Sequence, residues 1–174
     1  MDIEAITIII IVGVLLVITF YIIGLYNELI DARNRVEDQF TQIELELRKK
    51  NNLIPDLIEI VKIYAKHEEK IINEMIATKN KLDKSNKIND IIKNSKNIDI
   101  SLNKIFTLTD TYPELKKNKN YLSLQKNVEE IEDKINYART FYNEAVLNYN
   151  NSRLKFPSNI VANIFKFNEI EYFK

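Results

Sequence analysis

Residues 121–156 read YLSLQKNVEEIEDKINYARTFYNEAVLNYNNSRLKF. Within them Tyr121, Leu124, Val128, Ile131, Ile135, Ala138, Tyr142, Ala145, Tyr149, Ser152 and Phe156 recur by alternating steps of three and four. That spacing keeps one stripe of a helix on one neighbour through five heptads. Only Ser152 is polar in the stripe, and the small Ala138 and Ala145 allow a neighbouring helix to come close. A helix with one apolar stripe needs other helices to cover it, and the rest of the chain supplies them.

Upstream, Leu29, Val36, Phe40, Ile43 and Leu47 predict an amphipathic helix. Asn51 and Asn52 interrupt it, and Pro55 suits the first turn of a second helix, where its missing N–H is not needed. The stripe of that helix runs from Leu57 through Val61, Ile72 and Met75 to Leu82. Between Thr78 and Lys104 the composition narrows to lysine, asparagine and isoleucine. Ile88, Ile91, Ile92, Ile98, Leu102, Ile105 and Phe106 nevertheless stay in phase and predict a third helix. Asp110 to Asn120, with Tyr112-Pro113 inside it, reads as the next connection, because a residue before proline is pushed out of the helical region. Two glycines and three prolines leave few tight turns, so the fold class is all-α. The expected architecture is an antiparallel four-helix bundle over residues 27–156 that closes without a partner chain.

Residues 5–26 form a separate segment. No charge falls between Ala5 and Asn27, and at 1.5 Å per residue the run can cross a hydrocarbon core of roughly 30 Å. A buried core helix of that length would show a polar stripe. Asp2 and Glu4 stand where a cleaved signal peptide would carry positive charge. The segment therefore reads as a retained transmembrane helix, with residues 1–4 as a short flank. No lysine or arginine precedes it, whereas Arg33, Arg35, Arg48, Lys49 and Lys50 follow, so the flank is expected outside and the bundle in the cytoplasm.

Lysine plus arginine and aspartate plus glutamate each number 25, a balance that argues against a nucleic-acid binder. The absence of cysteine removes disulfides and thiolate chemistry. The one histidine, His67, begins a His-Glu-x-x-His pattern, but Ile71 stands where the second zinc ligand belongs. No glycine-flanked serine offers a nucleophile elbow. Catalytic, cofactor-binding and metal-ligating residues are accordingly expected to be absent. A polar row on the fourth helix, with Glu129, Glu132, Asn136, Arg139, Asn143 and Asn150, flanks the stripe. It reads either as interhelical hydrogen bonding that fixes register or as a partner-binding surface.

Residues 157–174 form a tail. Phe156-Pro157 ends the long helix, and Ser158 can cap a short one bearing Ile160, Val161, Ile164 and Phe165. An up-down-up-down bundle returns this end toward the bilayer, which makes Phe165, Phe167, Tyr172 and Phe173 candidates for interfacial depth. The competing reading is that they cap the open end of the bundle core. A fourth helix of roughly 55 Å against about 37 Å for the extramembrane part of the first leaves the two ends unmatched.

Distributed markers carry a resemblance. Tyr26-Asn27, Arg33-Asn34, Gln42-Ile43, Leu47-Arg48-Lys49, Asn52-Leu53-Ile54-Pro55, Val61-Lys62, Tyr64-Ala65 and His67-Glu68 make up its first half. Tyr112-Pro113-Glu114-Leu115-Lys116, Leu124-Gln125, Ala138-Arg139, Tyr142-Asn143, Ala145-Val146, Tyr149-Asn150 and Phe156 through Ala162 make up its second. In these the chain resembles the LemA family of bacterial membrane-anchored proteins. It departs from the family at Phe40, where tryptophan is frequent, and at Asn52, where aspartate is typical; Lys81 to Thr107 shows little likeness. The resemblance implies a bacterial cell membrane, an outer N-terminal flank, a cytoplasmic bundle and no established enzymatic activity. The expected role is a non-enzymatic structural or adaptor module. Its expected partners are the bilayer, unidentified membrane or cytoplasmic proteins and a second copy of itself. The alternative is an accessory subunit of a membrane enzyme or transporter complex, such as a membrane metalloprotease.

Overall fold

The computed structural model describes residues 3–173, so residues 1 and 2 of the expected flank and residue 174 of the tail lie outside the described residues. In chain order the elements are α1 (Ile3–Asn52), α2 (Ile54–Tyr64), α3 (Glu69–Asp83), α4 (Ile88–Thr111), a short 3₁₀ helix (Pro113–Lys117), α5 (Lys119–Leu154) and α6 (Ser158–Ile164). The described residues contain no strand, in keeping with the all-α expectation.

The first part of α1 is bare. None of its most apolar eighteen-residue window is covered by the rest of the chain. Its two threonines tie their hydroxyls to their own helix, Thr7 to the carbonyl of Ile3 at 2.8 Å and Thr19 to that of Leu15 at 2.9 Å. Such back-bonding leaves neither threonine hydroxyl needing water. The helix is long and apolar enough to cross a membrane.

The chain divides into two compact units. Residues 40–140 form one; residues up to 39, together with those from 141, form the other. In the first, four helical rows pack antiparallel. Asn51 near the end of α1 donates to Asp83 at 2.6 Å near the end of α3, while Glu74 of α3 meets Lys104 of α4 at 2.6 Å. Tyr64 at the end of α2 accepts from Asn118, just before α5, at 3.1 Å. The core is built from Ile43, Leu47, Leu57, Val61, Met75, Ile98, Ile105 and Ile135.

The second helix differs from its expected bounds. The segment 55–82 is two helices, and the chain reverses between them at Ala65–Glu68 instead of at Asn51–Asn52. Leu53 keeps right-handed helical torsions, and the amide of Leu57 reaches its carbonyl at 3.2 Å, so α2 continues the row begun by α1. Pro55 is tolerated because the first turn of α2 has no use for its N–H. Residues 40–64 therefore span about 37 Å and residues 119–140 about 33 Å, which removes the expected mismatch within this unit. The third helix, expected from isoleucine phase alone, is α4. Ser95 fills the gap in its stripe: it is buried, with its hydroxyl bonded to the carbonyl of Ile92 at 2.9 Å.

In the second unit Leu29 and Val36 of α1 are buried, as are Tyr142, Val146 and Tyr149 of α5. Tyr26, at the end of the apolar run, touches Phe165 and Phe167, which follow α5, so the two helices run antiparallel here as well.

Candidate functional site

In the second unit, one face of α5 grips the chain that follows it. After α6 the backbone reverses at Lys166, which takes a left-handed φ of 57°. The amide of Phe167 then reaches the carbonyl of Ala162 at 2.9 Å, and that of Lys166 reaches Asn163 at 3.4 Å. This pair of bonds is a helix-ending motif that usually employs glycine. It turns Phe167 inward against Tyr26, with ring centroids 5.6 Å apart.

From Asn168 to Phe173 the chain has no regular secondary structure and runs back along α5. Tyr149 donates its hydroxyl to the carbonyl of Asn168 at 2.8 Å, and Tyr142 donates to that of Glu171 at 3.2 Å. Asn150 donates to the carbonyl of Ile170 at 2.9 Å and accepts from its amide at 3.2 Å. Asn143 does the same for Phe173, at 3.0 and 2.8 Å. Arg153 adds an ion pair with Glu169 at 3.4 Å. Rungs of like kind lie seven residues apart on α5 and three apart on the tail. Seven helical residues rise about 10.5 Å and three extended ones about 10 Å, so the two spacings match.

Asparagine suits this task because its side-chain amide both donates and accepts, as the backbone of a neighbouring strand would. The phenols are drawn into the same layer. Burial pushes the Tyr142 phenol up, with the Glu171 carboxylate adding to the effect. Burial also raises Tyr149, partly offset by Arg153 and Arg33. Both therefore stay protonated donors at neutral pH.

The rest of the predicted polar row lies in the first unit. Glu132 and Asp99 both accept from Lys50, whose side chain is only 4% exposed. Arg139 stands 3.9 Å from Glu132 and donates to Asn136 at 3.2 Å. Glu129 accepts from Gln125 at 3.1 Å. Glu129 and Asn136 are exposed, whereas Glu132 and Arg139 are half-buried. Of the aromatic tail residues, Phe167 and Phe173 are buried, the latter edge-on to Tyr142 with ring centroids 6.3 Å apart, while Phe165 and Tyr172 are exposed. His67 sits exposed in the α2–α3 turn, and its neighbour Glu68 accepts from Tyr112 at 3.1 Å.

Sequence reasoning placed Asn143 and Asn150 in the row but not their partner, the tail. It also placed Ala145 in the buried stripe, whereas the fully buried residue is Val146, which shares a face with Tyr142, Asn143, Tyr149 and Asn150. The repeated Tyr-Asn pair, at 142–143 and 149–150, was the available signal. A second feature of this unit is an open groove of about 400 Å³ lined by Glu28, Asp31, Ala32, Arg35, Glu144 and Ala145, among others.

The sequence model of the LemA family matches residues 39–174. Comparison with curated proteins gives no match.

Proposed function

The chain belongs to the LemA family, and from that premise we propose a single-pass bacterial membrane protein. Its N-terminus lies outside, and its helical bundle is a non-enzymatic structural or adaptor module in the cytoplasm. The observation that carries this reading is α1. No linker interrupts the helix between its bare apolar run and the residues packed into the bundle, so the anchor and the first row of the bundle share one helix. Arg33 and Arg35 follow the span closely, which supports the inward orientation.

Partner proteins meet the polar side of α5, where Glu129 and Asn136 are exposed. Asn143 and Asn150 are taken up by the tail and are not part of that surface. Co-purification from native membranes tests the role. Recovery of non-catalytic membrane proteins, lost on charge reversal at Glu129, supports the adaptor reading. A stoichiometric enzyme or transporter would replace it with the accessory-subunit reading.

A further inference from the structure

The end of α5 and the segment that follows it carry an apolar surface that the tail does not cover. Leu154, Phe156, Ile160, Ile164 and Phe165 are 64, 81, 50, 68 and 52% exposed. Ile160 and Ile164 are four residues apart and share one face of α6, while Val161 and Ala162 are buried on the other. A patch of this kind on a folded protein marks an interaction surface. Its position says with what. Phe165 packs edge-on against Tyr26, ring centroids 4.9 Å apart, and Tyr26 is the last residue of the apolar run before Asn27 and Glu28. Where α1 crosses a bilayer, Tyr26 stands at the boundary between acyl chains and headgroups, the depth that tyrosine favours. The patch is tied to that depth by direct contact within one compact unit. Exposed Lys155 and Lys166 flank it and can extend their ammonium groups to headgroup phosphates while their stems lie along apolar surface.

We infer that α6 and its flanks are a membrane-seating element. Leu154, Phe156, Ile160, Ile164 and Phe165 enter the headgroup–acyl boundary of the leaflet where the span ends. This rests on the anchor reading of α1 and adds a second lipid contact to it. The occupant is lipid because the surface continues the span and carries the aromatic and lysine mixture that interfacial segments use. Phe167 and Phe173, turned inward, take no part.

The chain has no tryptophan, so single substitutions report unambiguously. Full-length F156W and I164W are reconstituted in vesicles of phosphatidylcholine and phosphatidylglycerol, with or without dibrominated acyl chains, which quench indole on contact. F20W, in the apolar run, reports the span itself. L147W reports an exposed site on α5 about 10 Å farther along the helix than Leu154. Unchanged helical circular dichroism establishes that each variant is folded. The expected result is that bromination lowers F20W, F156W and I164W emission to roughly half or less and leaves L147W unchanged. Quenching of F20W, with F156W and I164W behaving like L147W, overturns the seating and spares the anchor. Unquenched F20W overturns both. Blue-shifted but unquenched emission at 156 and 164 also overturns the seating, since protein and not lipid then covers the surface.

Discussion

Asn150 holds Ile170 by both ends of its backbone: the side-chain amide donates to the Ile170 carbonyl at 2.9 Å, and the side-chain oxygen accepts from the Ile170 N–H at 3.2 Å. A strand in a sheet would be paired in the same way, but here the partner is one side chain on a helix. Because Asn143 repeats the arrangement at Phe173, the tail is fixed in register by hydrogen bonds and not only by apolar contact.

Replacing Asn150 by alanine leaves a partly buried N–H and carbonyl unpaired and should cost about 1–3 kcal/mol. Asn150→Asp should be about as damaging at neutral pH, because a carboxylate accepts but cannot donate and faces the Ile170 carbonyl. Limited proteolysis reads the outcome: cleavage within 167–173 should accelerate in both variants. A tail equally protected in both would show that the Asn150 bonds are dispensable and that the remaining tail contacts hold it.

Lys50 is buried and shared by Asp99 and Glu132, which joins α1, α4 and α5. Lys50→Met keeps the length but strands the Asp99 carboxylate and leaves Glu132 only its longer contact with Arg139, so a loss of about 3 kcal/mol is expected. For a chain of this size the melting temperature should fall by roughly 6–12 °C. Adding Asp99→Asn and Glu132→Gln should restore part of it, since the residual cost lies in the unpaired charges. Thermal melts of the single and triple variants check both statements.

Tyr121 is fully buried, its hydroxyl has no hydrogen-bond partner, and burial pushes its phenol up to about 12. Tyr142 and Tyr149 are raised as well. In the unfolded chain such phenols ionise near 10, so the unfolded state releases these protons first. Stability is then complete below pH 10 and falls as pH rises from about 10 toward 12. Tyr121→Phe removes the orphan hydroxyl. It should leave neutral-pH stability unchanged or raise it by up to about 1 kcal/mol, and it should flatten the alkaline loss. Urea unfolding at pH 8 and near pH 11 provides the comparison.

His67→Ala removes an exposed side chain from the α2–α3 turn and should change stability by less than about 0.5 kcal/mol. Complementation of a deletion strain should be unaffected. A null phenotype at normal protein abundance would point to chemistry at His67 and against a non-enzymatic role.

The helical stripes were legible because apolar side chains at three- and four-residue steps leave a helix only one way to bury them. Tyr121, Val128, Ile135, Tyr142 and Tyr149 are buried as that spacing requires, whereas Leu124, Ile131, Ala138, Ala145 and Ser152 are half-buried and Phe156, past the end of α5, is exposed. The turn at Ala65–Glu68 was not legible, since no glycine or proline marks it. Its trace is that Glu68, a charged residue, falls in the phase where the stripe through Val61 and Met75 would need an apolar one. The reversal at Lys166 was hidden for the same reason, with lysine in a torsional region where glycine is the usual signal. Buried Ser95 and Thr78 were not legible because a hydroxyl bonded within its own helix can be buried at little cost, which composition alone does not reveal.

The tail and α5 mesh like gears with a ratio of three to seven. Losing one residue between Asn168 and Phe173 would misalign every tooth beyond it, and gaining one in the facing stretch of α5 would turn the asparagines away by about 100°. Length changes that the pair can absorb therefore come as matched blocks, three residues in the tail with seven in the helix. Insertions and deletions at these two places, far apart in the chain, are bound to travel together.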